Sequence, residues 1–346
     1  MAEDWRLLED DIREPKKHFA VEETLLRSID EDKSPDTLRL RRVEPSVFIG
    51  IYQDPNEAVD LKYCDENDIP VIRRPNPGGA VYQDEGTFCY SLFFRKKKLF
   101  SKLAIEEASD LYRLLGDAVI KTLDEFDVDA EISGINDVVV NGKKIYGSAQ
   151  IEWYSSMVHS GTFLVDVDKN DLDRTLTPNK MKFEDKDVNS VKNRVVNLSE
   201  LIDHPVRVEE VMEILADHIS SILEIDLKEV ELSDREKEEV EELYQNKYSL
   251  ESWTYQEQQS RSATVSTKGK GGVIVLSADI EGEVIKEVSI KGDFIVSEQD
   301  ELDRVIDALS DTSYTSSLHI IDNSALEEHL KRDLKKLVER MVKRHD

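Results

Sequence analysis

Residues 71–91 read VIRRPNPGGAVYQDEGTFCYS and are the most informative stretch of the chain. Arg73 and Arg74 lead into a Pro-Asn-Pro-Gly-Gly turn that opens into a strand. Because glycine has no Cβ, the backbone at Gly78 and Gly79 can approach a ligand closely and point its N–H groups at an anion. The arginines add fixed positive charge at the same place. This stretch therefore predicts a binding turn for a negatively charged, partly apolar ligand.

Composition limits the classes of protein to which the chain can belong. Its 346 residues, 39% of them apolar, are enough for one large domain and a smaller one. A formal net charge of −28 argues against binding to nucleic acid, whose phosphates an acidic surface repels. No apolar run approaches the ~18 residues that span a bilayer, so no membrane partner is expected. Two cysteines, in contexts typical of neither disulfides nor metal sites, favour a cytoplasmic location.

Apolar spacing divides the chain into strands and helices. It predicts helices at 17–30 and, as one long helix, at 102–126. Short strands are predicted on both sides of the glycine turn and between about 129 and 168. After SLESWTY the pattern changes to a meander of strands followed by helices. We therefore predict an α/β (α+β) chain with two domains, 1–250 and 251–346.

Residues 134–150, GINDVVVNGKKIYGSAQ, predict a β-hairpin. Asn141-Gly142 between two alternating runs is typical of a two-residue turn, which fixes the predicted register. Strand alternation then sorts the side chains onto two faces. One face is predicted to carry Val138, Val140 and Ile145, and the other Asp137, Val139, Lys144, Tyr146 and Ser148.

The strand face that is predicted to carry Lys144 has the features of a ligand-binding surface. A hairpin lysine is usually a solvated surface charge. Here Gly147, Ser148 and Ala149 leave space beside the strand, and Asp137 supplies a carboxylate suited to a metal or a hydroxyl. We therefore predict that Lys144 lies at a binding site.

Residues 157–168, MVHSGTFLVDVD, are a third candidate. His159 is followed by Ser160, Gly161 and Thr162 at the start of a strand. These small and hydroxyl-bearing residues suit a wall beside a ligand. A packed or exposed structural histidine is equally compatible with the pattern.

The three stretches together resemble the lipoate–protein ligase family. The segments RRPNPGGAVYQD, INDVVV, KKIYGSAQ and HSGTFL follow the order and spacing of its motifs. The resemblance extends upstream through FAVEETLLR and LRLRRVEPSVFIGIYQDPNEAV. Downstream, GGVIVLSADIEGEVIKEVSIKGDF resembles the family's C-terminal accessory domain. The family resemblance therefore covers nearly the whole chain.

The resemblance implies a fold and a reaction. The fold would be that of the biotin/lipoate ligases, with mixed β-sheets, flanking helices and a small α/β accessory domain. Lipoate or octanoate and ATP, with Mg²⁺, would give an acyl-AMP, and the acyl group would pass to a lysine of an acceptor. The implied acceptors are lipoyl domains of 2-oxoacid dehydrogenase complexes or the glycine cleavage H protein. We expect a monomer.

The resemblance also implies site residues. Lys144 would be catalytic, contacting the α-phosphate and the acyl carbonyl, and Asp137 would bind Mg²⁺. Arg74 would lie near the acyl chain and the adenylate, and Asn136 near the phosphate. The other residues implied to bind the lipoyl or acyl-adenylate group are Gly78, Gly79, Ala80, Val81, Tyr82, Gly147, Ser148, Ala149, His159, Gly161 and Thr162.

The chain departs from the family pattern at several positions. Asn76-Pro77 replace a Ser/Thr and a glycine in the turn, and proline has no N–H to donate. Gln83 and Ser160 stand where the family has histidines. Ile51 and Ile135 stand where arginines are common, which lowers the local positive charge. These changes are compatible with a different acyl substrate or acceptor.

Two other functions remain open. An octanoyltransferase would use a cysteine nucleophile, whereas Cys64 and Cys89 are better explained as small buried side chains. A non-catalytic lipoyl-binding scaffold is the second alternative. Separately, the basic run 95–98 is either a solvated strand end or an electrostatic dock for an acidic acceptor.

Overall fold

The computed structural model describes residues 3–9, 14–153, 155–177, 190–256, 261–282, 284–296 and 298–343. Up to residue 256 it forms two sheets with flanking helices. The strands are β1 (Glu3–Glu9), β2 (Thr37–Arg41), β3 (Ser46–Ile49), β4 (Val71–Arg73), β5 (Val81–Gln83), β6 (Thr87–Arg95), β7 (Glu131–Ser133), β8 (Asp137–Val140), β9 (Lys143–Trp153), β10 (Ser156–Leu164) and β11 (Ile225–Glu229).

The central sheet has eight strands in the order β11-β1-β2-β6-β10-β9-β8-β7. Strand β1 runs parallel to β11 and β2, and the pairs from β2 to β7 are antiparallel. A second sheet, β4-β3-β5, carries the glycine turn between β4 and β5. The predicted α/β class with mixed sheets is confirmed.

Helices cover both faces of the central sheet. The helices described up to residue 256 are α1 (Pro15–Asp30), α2 (Pro55–Ala58), α3 (Leu61–Glu66), α4 (Lys96–Leu103), α5 (Ala108–Asp124), α6 (Lys169–Thr175), α7 (Val208–Leu223), α8 (Asp234–Leu243) and α9 (Glu251–Thr254). Apolar side chains of α5 and α7 pack on one face. Helix α1, with α8 behind it, packs on the other, and the glycine turn lies on this second face.

The prediction of one long helix at 102–126 is wrong at its N-terminal end. Ala104 has a φ of 53° and ends α4, where its N–H bonds to the carbonyl of Phe100. A capping box of Glu107 and Asp110 then begins α5. The apolar spacing on both sides of Ala104 is helical, so periodicity alone joins what are two helices.

The C-terminal part has its own sheet and its own apolar core. Its elements are β12 (Ala263–Gly269), β13 (Gly272–Glu281), β14 (Val284–Phe294), β15 (Thr312–Ser313), α10 (Gln299–Leu309), α11 (Tyr314–Asn323) and α12 (Glu328–Lys343). The meander is antiparallel throughout. Among the described residues, no helix combines the length and apolarity needed to cross a bilayer.

Candidate functional site

A groove runs along the second face of the central sheet. Its floor is marked by partly exposed residues on two otherwise largely buried strands: Lys144, Gly147 and Ala149 of β9, and Ser160 and Thr162 of β10. Strand pairing puts Gly147 beside Thr162 and Ala149 beside Ser160. These small side chains leave space above the sheet.

The glycine turn forms the opposite wall of the groove. Gly79, Ala80 and Val81 are partly exposed, and Val81 packs against the apolar cluster beneath α1. Behind them, Gln83 Nε2 donates to Thr162 Oγ1 at 3.1 Å, which ties this wall to the floor. The turn and the floor strands are therefore two sides of one site.

A β-bulge corrects the predicted register of the hairpin. Asp137 pairs with Gly147 and not with Tyr146, because Ile145 is an extra residue on β9. The Asn141-Gly142 turn itself is present, with both residues at positive φ. A bulge reverses the alternation of every side chain that follows it.

The bulge decides which side chains face the groove. Tyr146 and Ser148, predicted on the face of Lys144, lie on the opposite face. Gly147 and Ala149 take their place. The bulge therefore puts the two smallest side chains of the strand beside the lysine.

Lys144 and Asp137 share a face, as predicted. Lys144 Nζ lies 2.6 Å from Asp137 Oδ1, and the two side chains are 38% and 33% exposed. A Cβ on Gly147 would lie 2.2 Å from Lys144 Nζ, so a larger residue here would displace the ammonium group from this position. Asn136 Nδ2 donates to the Ser148 carbonyl at 2.6 Å, which fixes the hairpin base. The outcome is a half-exposed, oriented ammonium group at one end of the groove.

Arg74 lies beneath the glycine turn. Its guanidinium donates to the carbonyls of Phe48, Pro77 and Gly79 at 2.8 to 3.1 Å. Burial lowers the pKa of Arg74 to about 10, so the group keeps its charge at neutral pH. It therefore shapes the turn and adds positive potential to it.

Arg73 has a structural role in this conformation. It is buried and donates to five backbone carbonyls, those of Gly50, Ile51, Gln53, Trp253 and Thr254. Trp253 Nε1 donates back to the Arg73 carbonyl at 2.9 Å. Its hydrogen-bonding capacity is used inside the protein.

His159 belongs to a buried network on the other face of the sheet. Its Nδ1 lies 3.0 Å from Gln150 Nε2 and its Nε2 lies 3.3 Å from the hydroxyl of Tyr146. The edge of its ring packs with Tyr112. Burial lowers the pKa of His159 to about 3, so the imidazole is neutral at ordinary pH.

Three further predicted residues also point away from the groove. Gly161 faces Tyr146, whose ring a Cβ there would approach to 2.4 Å. Tyr82 packs in the apolar cluster behind the small sheet, and Ser148 donates to the Asn136 carbonyl. With His159, they contribute to the site through the backbone or through packing, and not through side chains in the groove.

A polar network lies under the groove floor and was not predicted. Ser160 Oγ contacts Ser91 Oγ at 2.8 Å, and Ser91 bonds to Glu22 and Arg41, which form a buried ion pair. The alternation of arginines with leucines in TLRLR was a signal for it. Cations on one face of a buried strand need acidic partners, and Glu22 interrupts the apolar pattern of α1.

The groove continues into a cleft at its end distal to Lys144. This cleft is open to solvent. The residues that line it include Leu26, Ile151, Trp153, Val158, Trp253 and Asn76. Its walls are largely apolar and aromatic, which suits an apolar ligand end. The prediction from sequence did not include it, because its residues come from seven separate segments, from α1 to the start of α10.

The C-terminal sheet meets the site at the glycine turn. A Cβ on Gly79 would lie 2.8 Å from the Asp293 carboxylate, and the charge of Asp293 also acts on Arg74. Nearby, Tyr52 stacks on Phe294 with ring centroids 5.2 Å apart. A carboxylate of β14 therefore lies against the glycine turn in this conformation.

Ion pairs within the molecule occupy most of the basic run 95–98. Arg95 contacts Asp32 and Asp36, and Lys96 contacts Glu152 at 2.6 Å. Lys98 pairs with Glu3 and Asp36. These contacts favour the interpretation as a strand end over that as an acceptor dock.

Comparison with known proteins shows the family to which the chain belongs. Residues 14–220 match the family model of the lipoyl protein ligase A/B catalytic domain. Lipoate-protein ligase LplJ of Bacillus subtilis (strain 168) is 29% identical over 284 residues, covering 82% of this chain and 83% of the relative.

Solved structures of lipoate-protein ligases are also similar to this chain. A lipoate-protein ligase A bound with ATP is 27% identical with a TM-score of 0.62, covering 74% of this chain and 99% of that one. The bi-partite lipoate protein ligase of Thermoplasma acidophilum, described with its E2 lipoyl domain, is 29% identical with a TM-score of 0.63, covering 76% and 99%. P. falciparum LipL1 shares the fold over 98% of this chain and 99% of its own, with a TM-score of 0.76 at 20% identity.

Proposed function

The chain belongs to the lipoyl protein ligase A/B catalytic-domain family, and we propose that it is an ATP-dependent lipoate–protein ligase. First, a carboxylate oxygen of lipoate attacks the α-phosphorus of ATP, and the bond to the β-phosphate oxygen breaks to give lipoyl-AMP and pyrophosphate. Then the ε-amine of an acceptor lysine attacks the acyl carbon, and AMP and a proton leave. ATP in one related structure and the lipoyl domain described with another support this proposal.

The observation that carries the proposal is the position of Lys144. Its ammonium group is held by Asp137 above Gly147, at one end of a groove whose other wall is the glycine turn. Negative charge develops on phosphoryl and carbonyl oxygens in both steps, and a preorganised cation stabilises it. Lys144 is thus the proposed catalytic residue.

The turn and the strands position the acyl-adenylate. The backbone at Gly78 and Gly79 lines the phosphate, while Arg74 holds the turn from beneath. Val81 and Ala149 line the acyl chain, and each methylene that is buried contributes about 0.8 kcal/mol.

Mg²⁺ fits the donors of this site as an ion held mainly by the nucleotide. Asp137 offers one carboxylate, and the described residues hold no cluster of three ligands. Magnesium at phosphate sites commonly uses one or two carboxylates with substrate oxygens. When bound, it would neutralise phosphate charge, with Asp137 as its carboxylate ligand.

The proposed acceptors are lipoyl domains of 2-oxoacid dehydrogenase complexes, the glycine cleavage H protein, or both. The proposed enzyme acts as a monomer in the cytoplasm. Residues 1–250 form its catalytic domain and 251–346 an accessory domain. The separate sheet and core of the C-terminal part support this division.

The cysteines argue against a covalent transferase. Burial raises the pKa of Cys64 to about 11, so it is a thiol at neutral pH. Cys89 is 2% exposed, and its Sγ contacts Gln83 and Thr162 beneath the groove. Neither side chain is free to attack an acyl group.

Pyrophosphate release tests the function. ATP is supplied with lipoate or with biotin, and acyl transfer to a purified lipoyl domain is measured by mass spectrometry. We expect ATP-dependent release with lipoate only, followed by one acyl addition to the domain. Acyl addition without ATP would indicate a transferase, and binding of lipoate without pyrophosphate release would indicate a scaffold.

A further inference from the structure

Two prolines restrict the backbone of the glycine turn. Residues 75–77 read Pro-Asn-Pro and lie directly before Gly78. Proline fixes its own φ and disfavours the helical conformation in the residue that precedes it. All four residues from Arg74 to Pro77 are therefore restricted by the sequence itself. Such a turn loses less backbone entropy on adopting one conformation than a turn made of glycines would.

Hydrogen bonds within the protein hold three carbonyl groups of the turn. The Asn76 carbonyl accepts from the Ile51 N–H at 3.1 Å. Arg74 Nη2 donates to the carbonyls of Pro77 and Gly79 at 3.1 and 2.8 Å. Every one of these donors belongs to the protein, so the turn is held without a contribution from lipoate or nucleotide.

Packing fixes the backbone between these hydrogen bonds. A Cβ on Gly50 would lie 2.1 Å from the Gly78 carbonyl oxygen, so the two backbone segments are in close contact. Gly78 has a φ of 106°, a conformation that favours glycine. Pro77, directly before it, is buried. The restricted residues thus lead into a turn whose shape the surrounding protein determines.

We propose that Pro77 is a positioning residue that holds the glycine turn in its binding conformation before lipoate and ATP arrive. The inference rests on the proposed function and goes beyond it, because it concerns how the two substrates bind. Proline removes one N–H that could donate to an anion. A turn that is already ordered, however, loses no further backbone entropy when a ligand binds.

A preformed turn makes the binding of one substrate independent of ordering by the other. When a flexible turn is ordered on binding, the first ligand bears the loss of entropy and the second then binds more tightly. In the wild type this source of cooperativity is absent. Replacing Pro77 by glycine restores the flexibility and should introduce the cooperativity.

The test measures by calorimetry the binding of α,β-methylene-ATP, which cannot release pyrophosphate, with and without saturating lipoate. The variants are Pro77→Gly, Pro77→Ala and the control Pro205→Gly, since Pro205 is exposed in the loop before α7. We expect Pro77→Gly to raise the Kd for the analogue alone about two- to fivefold and to regain most of that affinity when lipoate is bound. Pro77→Ala, which is less flexible than the glycine variant, should show a smaller change, and Pro205→Gly none.

The outcomes separate the two proposals. Absence of pyrophosphate release from ATP and lipoate by the wild type would reject the proposed function. Equal Kd values for the analogue in the wild type and Pro77→Gly would overturn the role of Pro77. A lower Kd in the variant would overturn it too, because the restored N–H would then outweigh the restricted backbone.

Amide hydrogen exchange tests the physical cause directly. Without ligand, exchange at 78–80 should be faster in Pro77→Gly than in the wild type, and Pro205→Gly should leave it unchanged. Both glycine variants gain flexibility in the unfolded chain, so a general loss of stability would appear in both. Equal exchange at 78–80 in the wild type and Pro77→Gly would show that the hydrogen bonds alone hold the turn and would contradict the proposal.

Discussion

At the residue scale, the proposed chemistry depends most on the ammonium group of Lys144. We expect Lys144→Ala to lower acyl-adenylate formation on the order of 10²-fold, because one charge-stabilising group is lost from the transition state. The measurement is the rate of pyrophosphate release at saturating lipoate and ATP. Thermal unfolding should change little, since the side chain is 38% exposed.

Lys143 provides the matched control for Lys144. It is the adjacent residue on β9 and is exposed. Lys143→Ala should retain the wild-type rate of pyrophosphate release. Equal loss in the two variants would mean that general positive charge at the hairpin, and not one oriented amine, drives the reaction.

His159 should make stability depend on pH. Its pKa is about 3 in the fold, because of burial, and near 6.5 in the unfolded chain. The unfolded state therefore binds more protons between these values, and stability falls as pH falls below 6.5. We expect this histidine to cost about 2 kcal/mol between pH 7 and pH 5.

A neutral variant isolates this contribution. His159→Gln keeps hydrogen-bonding groups but does not titrate. Urea unfolding at pH 7 and pH 5 gives the free energy of unfolding of both proteins. The difference between them should shrink as pH falls, and parallel pH profiles would show that His159 is already accessible to protons in the fold.

At the scale of elements, the bulge in β9 assigns different roles to two glycines. Gly147 faces Lys144 and Gly161 faces the ring of Tyr146. Gly147→Ala should displace the amine and slow adenylation by about tenfold or more. Gly161→Ala should instead overpack the core and destabilise the protein by about 1–3 kcal/mol.

Parallel assays separate these two outcomes. Pyrophosphate release and urea unfolding are measured for both glycine variants. Activity loss confined to Gly147→Ala and stability loss confined to Gly161→Ala would match the faces that the structure gives. The reverse assignment would mean that the strand continues without the bulge, as the sequence pattern alone suggests.

Periodicity and turn chemistry predicted the elements that are locally encoded. The Asn141-Gly142 turn and helix α1 follow from short-range signals and are confirmed. The bulge at Ile145 could not be predicted, because tertiary packing selects which residue of an alternating run is left unpaired. One unpaired residue was enough to reverse the predicted faces of Tyr146 and Ser148.

At the scale of the whole molecule, formation of the acyl-adenylate should move the C-terminal part. The Asp293 carboxylate lies against Gly79, where the negatively charged adenylate is proposed to bind, and like charges repel. We expect faster hydrogen exchange at 291–294 and 50–54 when lipoyl-AMP forms. Unchanged or slower exchange would mean that the adenylate is accommodated beneath Asp293.

The variant Asp293→Asn tests whether the Asp293 carboxylate repels the nucleotide or helps to bind it. Asp293→Asn removes the charge while keeping the shape, so it should lower the KM for ATP. A higher KM would instead assign Asp293 a role in holding the nucleotide. Thermal unfolding serves as the control for docking of β14.

Long-range contacts explain why the site was only partly predictable. The three motifs do converge on one groove, which their spacing and the family resemblance implied. Asp293, Trp253 and Glu22 reach it from distant parts of the chain. No local sequence pattern predicts the positions of these three residues at the groove, because they depend on how the layers of the fold pack together.

The hydrogen bonds that Arg73 donates to backbone carbonyls connect two parts of the chain that are distant in sequence. One guanidinium joins the loop at 50–53 to the carbonyls of Trp253 and Thr254, which precede the C-terminal sheet in the chain. A ligand that moves the glycine turn is therefore expected to displace residues 253–254 as well. We expect binding in the groove and the orientation of the C-terminal part to be coupled through these hydrogen bonds of Arg73.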